Sequence, residues 1–507
     1  MAQFGRALRS GRRGRRFKSC HFDYLAGAPK FLEIKSFGVF LRLKKDSGKW
    51  GRYIGYGVGA VGLDLSYGLF YSYLAKYLTD VLLMPAAFLL ILTPIARIWD
   101  GINDPIMGTI VDSTKMKMGK YRPWIMIGAC ANAVVLALLF TNPGIPLNSI
   151  WLYVYVAVMY IAWGMTNTMA DIPYWSMVPS FTNDPKERNL ISTVARTFSG
   201  IGQGIVTIFT PFALVLLGTG ASDAEKKISA QGFSRWAMLC AALLVVFAVV
   251  CASVTKERQV VYNNDKFSFK KLFSVLKNND QLIVFMVFAM ISNAGWYLTS
   301  GVGAYYFENV EGDITKQSMF ATFGAVGSFL GLFVIPIMQK KFTRRTIYQF
   351  CLIMVIVGYA LMIVSGPVLH QMLLLNIAYI IASVGIASMF VNQTVMLADI
   401  VDYGEYKTGK RQESTTFSMK GFLQKMAYTV QTIILFTGLG LSGYDGAAEV
   451  QTDLSKTTIS VMTFVIPPIL VFISFLVFSK KYKLYGELSE KVHAFVAARE
   501  EKMGEDA

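Results

Sequence analysis

Apolar stretches of about 20 residues, each long enough for a helix to cross a hydrocarbon core of about 30 Å, recur along the chain from Tyr53 to Phe478. Short segments rich in Gly, Pro, Asn and charge separate them. The pattern predicts helical spans at 53–80, 86–111, 123–141, 150–180, 188–217, 233–254, 281–308, 316–338, 346–365, 369–403, 414–438 and 456–479. A membrane β-barrel would read instead as short segments of alternating polarity. The expectation is an all-α polytopic membrane protein with twelve transmembrane helices.

Composition agrees and charge refines the picture. Of the 507 residues, 54% are hydrophobic and 16% charged, where soluble domains carry about 25% charged residues. The net charge of +17 raises the possibility of a nucleic-acid partner, and its distribution argues against one. Most Lys and Arg fall in the termini and in every second loop, in "KMKMGKYR", "NDPKER", 255–280, "QKKFTRR" and "YGEYKTGKRQE". The intervening loops, such as "TNPGIPLNS" and "LSGYDGAAEVQTD", carry almost none. This alternation is the positive-inside pattern and predicts that both termini are cytoplasmic. Five cysteines and three histidines, scattered without metal or redox spacing, supply no ligand set for a haem, zinc or redox enzyme; no cofactor and no enzymatic activity are expected.

The longest basic loop, 255–280, divides the spans into six and six. The expected organisation is a basic N-terminal extension (1–50), a first six-helix half (51–254), the cytoplasmic middle loop (255–280), a second six-helix half (281–479) and a cytoplasmic tail (480–507). The extension is rich in Arg and lacks the apolar core of a secretory signal; attraction to anionic lipid headgroups suits it. The halves echo each other weakly: "GTIVDSTKMKMGKYRPW" follows the second span and "GLFVIPIMQKKFTRRTIY" the eighth. Two related halves point to the major facilitator architecture, with a site near mid-membrane between them.

Several spans carry groups that lipid does not tolerate. In "RIWDGINDPIMG", each of Arg97, Asp100 and Asp104 would cost about 2.5–3.5 kcal/mol at the centre of an inserted helix. Asp100, Asn103 and Asp104 are spaced i, i+3, i+4 and share one helical face. Thr168, Asp171 and Trp175 share a face of the fourth span, and Asp64 and Tyr71 stand one heptad apart on the first. Arg196 lies in the fifth span, Lys420 and Lys425 in the eleventh. Burying so many charges merely to hold helices together is costly, so a shared polar cavity is expected. Two carboxylates, an amide and a hydroxyl make an oxygen cage for a hard cation. Aspartates beside aromatic rings suit a sugar, whose hydroxyls donate to carboxylate and whose apolar face packs on the ring.

"RIWDGINDPIMG", "WGMTNTMADIPYWSMVP" and "ADIVDYGEYKTGKRQEST", in this order, closely resemble the melibiose permease group, the glycoside–pentoside–hexuronide:cation symporters of the major facilitator class. The resemblance runs from about Trp50 to the last span. It implies import of a sugar or glycoside with Na⁺, H⁺ or Li⁺, Na⁺ being the first reading, by a carrier in a bacterial inner membrane that works as a monomer. It implies a cation site at Asp100, Asn103, Asp104 and Thr168, and a sugar site at Asp64, Tyr71, Asp171, Trp175 and Arg196. Lys425 matches a lysine that couples the two halves. Phe390 and Lys420 stand at substrate-facing positions where they depart from melibiose permease, which argues against melibiose itself. Asp399, Asp402 and Glu405, with Lys186, Arg188, Arg344 and Arg345, are expected to form a cytoplasmic gate. The alternatives are an H⁺-coupled symporter of hexuronides or other acidic sugars and a Na⁺-coupled lysolipid transporter.

Overall fold

The computed structural model describes residues 47–505 apart from 115, 148, 183–184, 219–228, 258–275, 339–340 and 410–412. The N-terminal extension before 47 and most of the basic middle loop therefore lie outside the described residues. The chain divides into two units at Trp50/Gly51, and the second unit holds the helices apart from the opening turn of the first helix.

The first six long helices are α1 (Ser47–Lys76, continued by a π turn, Tyr77–Val81), α2 (Ala86–Ser113), α3 (Arg122–Leu139), α4 (Ile150–Ser176), α5 (Pro185–Leu216) and α6 (Ala230–Val254). The next six are α7 (Asp280–Asn309), α8 (Lys316–Met338), α9 (Arg344–Val368), α10 (Met372–Thr408), α11 (Glu413–Leu441) and α12 (Asp453–Lys481); α13 (Glu487–Glu505) follows. No β-strand occurs among the described residues. Ten of these helices are long and apolar enough to cross a membrane. Of the twelve expected spans, α1 and α11 match in length but are more polar, since they carry Asp64, Lys76, Lys420 and Lys425.

Side-chain oxygens at the loop–helix junctions set where helices begin. Ser149 accepts from the Trp151 amide at the start of α4, Ser229 from Gly232 before α6, Asn279 from Leu282 before α7 and Thr343 from Thr346 before α9. Each satisfies an amide that the first helical turn leaves unpaired.

Polarity runs inside out. On α2, Ile91, Ile95, Ile98, Ile102 and Ile106 are exposed, while Arg97, Asp100 and Asn103 are buried. Asp100 and the arginine therefore face protein, which removes the cost that lipid would impose on them. Helix α3 packs on α4 and α6, and α2 on α4; in the last six, α10 packs on α8 and α9, and α7 on α11 and α12. The two groups meet where α2 packs on α11 and α5 on α8.

Candidate substrate and cation site

Asp100, Asn103 and Asp104 lie on the α2 face that turns toward α4 and α11. Thr168 of α4 donates to Asp104 Oδ1 at 2.9 Å, and Lys425 of α11 pairs with Asp104 Oδ2. Asp100 Oδ2 accepts from Arg97 Nη1 at 2.8 Å. Each carboxylate of the expected cation set is thus neutralised by a base of the same chain. Asn103 is buried, and its Nδ2 has no hydrogen-bond partner, an unsatisfied state that buried amides seldom tolerate. Gly164 makes the close approach of α4 possible: a Cβ there would stand 2.5 Å from Asp100 Oδ1.

Arg97 was not singled out as a site residue by the sequence, and it is the hub of this region. Its Nη1 also donates to the Tyr71 hydroxyl at 2.6 Å, and its Nη2 donates to Tyr160 at 3.3 Å. The guanidinium sits 4.6 Å from the Tyr71 ring centroid. Tyr71, expected beside the sugar, is therefore held by the group that holds Asp100.

A second cluster forms on α1, α4 and α5. Trp175 Nε1 donates to Asp171 Oδ1 at 2.9 Å, and the Arg196 guanidinium stacks 3.8 Å over the Trp175 ring. Asp64 on α1 lies against α5, where a Cβ on Gly202 would come within 3.0 Å of the Asp64 Cβ. Asp64, Asp171 and Arg196 are electrostatic neighbours, and Asp171 also feels Asp104 and Lys425. The charges of the two expected sites thus lie within electrostatic reach of one another.

The α10 and α11 residues sit differently. Lys420 donates to Thr394 Oγ1 at 2.7 Å, and Phe390 packs edge-on against Trp296, 5.3 Å between centroids. A tyrosine column, unforeseen in the sequence apart from Tyr71, runs between the two helix groups. Tyr67 and Tyr71 of α1 lie 4.2 Å apart, Tyr71 and Tyr428 of α11 4.2 Å, and Tyr428 stacks on Tyr297 of α7 at 3.8 Å. Tyr67 precedes Tyr71 by one helical turn, which was the available signal; nothing local marks Tyr428 or Tyr297.

Of the expected gate residues, Arg344 pairs with Asp399 and Arg499 of α13 with Glu405 at 2.5 Å. Arg345 donates to the Ser479 carbonyl, and Arg188 to the Thr182 carbonyl. None of these contacts bridges the two six-helix groups, and the Arg499 pair ties α13 to α10. Asp402 lies on the same closing turns of α10, and the Lys186 side chain lies outside the described residues.

Residues 55–485 match the family model described as MFS/sugar transport protein. The chain belongs to that family. The chain is 26% identical to the raffinose carrier protein of Pediococcus pentosaceus, over 90% of this chain and 72% of the carrier. It is 27% identical to the isoprimeverose transporter of Lactiplantibacillus pentosus, over 85% of this chain and 88% of the transporter. The fold is similar to that of a D-xylose–proton symporter, with a TM-score of 0.62 at 12% identity over 86% of this chain and 98% of the symporter. It is equally similar to the nucleoside transporter NupG, at a TM-score of 0.62, 12% identity, and 85% and 100% coverage. The major facilitator fold expected from the sequence is thus the fold of the chain.

Proposed function

We propose that this chain imports a sugar or glycoside together with a monovalent cation, Na⁺ first, by alternating access. Its twelve long helices act as two six-helix halves, with the polar α1 and α11 lining the path, both termini in the cytoplasm of a bacterium and the carrier working as a monomer in the inner membrane. The observation that carries this reading is the pairing of Asp100 with Arg97 and of Asp104 with Lys425, one helical turn apart on α2, beside the buried Asn103 amide.

Oxygen donors of Asp100, Asn103, Asp104 and Thr168 suit a hard cation. An arriving cation takes over the charge balance that Lys425 supplies, and frees the lysine. Asp64, Asp171, Trp175 and Arg196 take the sugar, the carboxylates accepting hydroxyl protons and the indole covering an apolar face. One charge moving down 100 mV supplies about 2.3 kcal/mol, enough for roughly fifty-fold accumulation. At the cytoplasmic end, Asp399, Asp402 and Glu405 with Lys186, Arg188, Arg344 and Arg345 exchange their partners across the halves when that end closes.

Lys420 favours a second reading, an acidic sugar, because its ammonium meets a neutral hydroxyl, Thr394, and so has charge to offer a carboxylate. Uptake of a labelled panel of neutral glycosides and hexuronides into proteoliposomes, with and without a Na⁺ gradient, tests both. Na⁺-driven accumulation of at least one sugar is expected; accumulation of none of them under either a Na⁺ or an H⁺ gradient would overturn the reading.

A further inference from the structure

Where α1 ends, the chain hides a lysine. Lys76 has no exposed surface, and it pairs with Asp80 on its own π turn and with Glu308 at the end of α7. Its ammonium lies 4.5 Å over the Tyr305 ring. The surrounding hydroxyls complete the cluster: Tyr444, in the loop after α11, donates to Asp80 at 3.0 Å, Thr79 donates to Asp80 Oδ1 at 2.6 Å, and Thr79 and Tyr305 share a hydrogen bond of 2.9 Å. Gly446 of the same loop packs on the Thr79–Asp80 backbone with no room for a Cβ. Burial, opposed by Lys76, holds the Tyr444 phenol above its ordinary range, so it stays a donor to Asp80.

Three features give this cluster a role. It spans the two helix groups, joining α1 to α7 and to the loop after α11. It lies at the end of the bundle opposite the Arg344–Asp399 pair, because α7 ends and α8 begins there, whereas α9 begins at the other end. Beside it on α1, Ala75 and Leu78 line a small cavity that Tyr71, Arg97 and Thr432 also line. A buried ion cluster that gains water on separating is finely balanced, since desolvation offsets much of the Coulomb attraction. Such a contact can hold an end closed without making it permanent.

We propose that Lys76, Asp80 and Glu308, with Tyr444 and Tyr305, form a polar lock that shuts this end of the transport path, and that parting Lys76 from Glu308 admits the substrate. The proposal rests on the alternating-access reading, but its test reads thiol labelling and requires no sugar. In right-side-out membrane vesicles, a Thr432→Cys reporter in this cavity is exposed to a membrane-impermeant cationic thiosulfonate, and labelling of the parent chain is subtracted. Lys76→Gln is expected to raise the rate of modification about tenfold. Lys76→Glu combined with Glu308→Lys, which restores opposite charges across the joint, returns it to within about twofold of the reporter alone. Should Lys76→Gln not reach the membrane, Tyr444→Phe loosens the same cluster more gently and raises the rate about threefold. An unchanged rate in whichever single variant is inserted, or a double variant labelled as fast as Lys76→Gln, overturns the lock.

Discussion

Arg97 Nη1 donates to the Tyr71 hydroxyl at 2.6 Å, and the same nitrogen donates to Asp100 Oδ2 at 2.8 Å. One cationic nitrogen thus serves a residue of the proposed sugar site and a residue of the proposed cation site. If a cation draws Asp100 away from Arg97, the guanidinium leans on Tyr71 more strongly, and a sugar that engages Tyr71 has the converse effect. Such reciprocity is what linked binding of two ligands demands.

Tyr71→Phe removes the phenol oxygen and keeps the ring. A hydrogen bond between neutral groups is worth about 0.5–1.5 kcal/mol, so sugar affinity is expected to fall by about two- to tenfold. Because Arg97 then binds Asp100 without competition, the Na⁺ concentration for half-maximal uptake should rise as well. Titrating uptake against both ligands checks this; a change in one alone would separate the sites.

Asp100→Cys takes the negative charge from the cation set and leaves Arg97 unpaired. Uptake by this variant is expected to be the same with and without Na⁺. Persistent stimulation by Na⁺ would place the ion elsewhere.

Gly164→Ala puts a methyl group 2.5 Å from Asp100 Oδ1, so the carboxylate must turn aside. Alanine in a helix interior is otherwise favourable by about 0.5–1 kcal/mol. The variant should therefore reach the membrane normally while losing Na⁺ affinity by about tenfold, equivalent to about 1.4 kcal/mol. Thermal unfolding followed with and without Na⁺ distinguishes the two effects: the cation-induced stabilisation shrinks although the fold survives.

Lys420→Gln separates the two substrate readings. If the ammonium receives a sugar carboxylate, uronide uptake falls about tenfold or more, as the loss of a charged hydrogen bond of about 1.5–3 kcal/mol implies, and neutral glycoside uptake stays within about twofold. Equal losses for both sugars would assign Lys420 to helix packing.

The arrangement of helices was legible in the chain because a bilayer fixes the length of apolar runs. The expected 86–111, 123–141 and 456–479 appear as Ala86–Ser113, Arg122–Leu139 and Asp453–Lys481. Periodicity also put Asp100, Asn103 and Asp104 on one face. What it could not give is the partner of a face. Arg97 stood in the same motif, but its bonds to Tyr71 and Tyr160 come from other helices, 26 and 63 residues away. Lys76 and Glu308 are separated by 232 residues (308 − 76), and Lys76 alone resembles an ordinary lysine at a helix end. Gly164 gave no sign of its role, because a missing Cβ matters only when another helix arrives.

The pairing of Asp104 with Lys425 bears on how the carrier resets. With the lysine supplying the counter-charge, the unladen protein carries no net charge at that carboxylate and can reorient without moving charge through the field. If a cation takes that place, as proposed, reorientation moves one. Membrane voltage should therefore drive the laden stroke and leave the return stroke nearly indifferent.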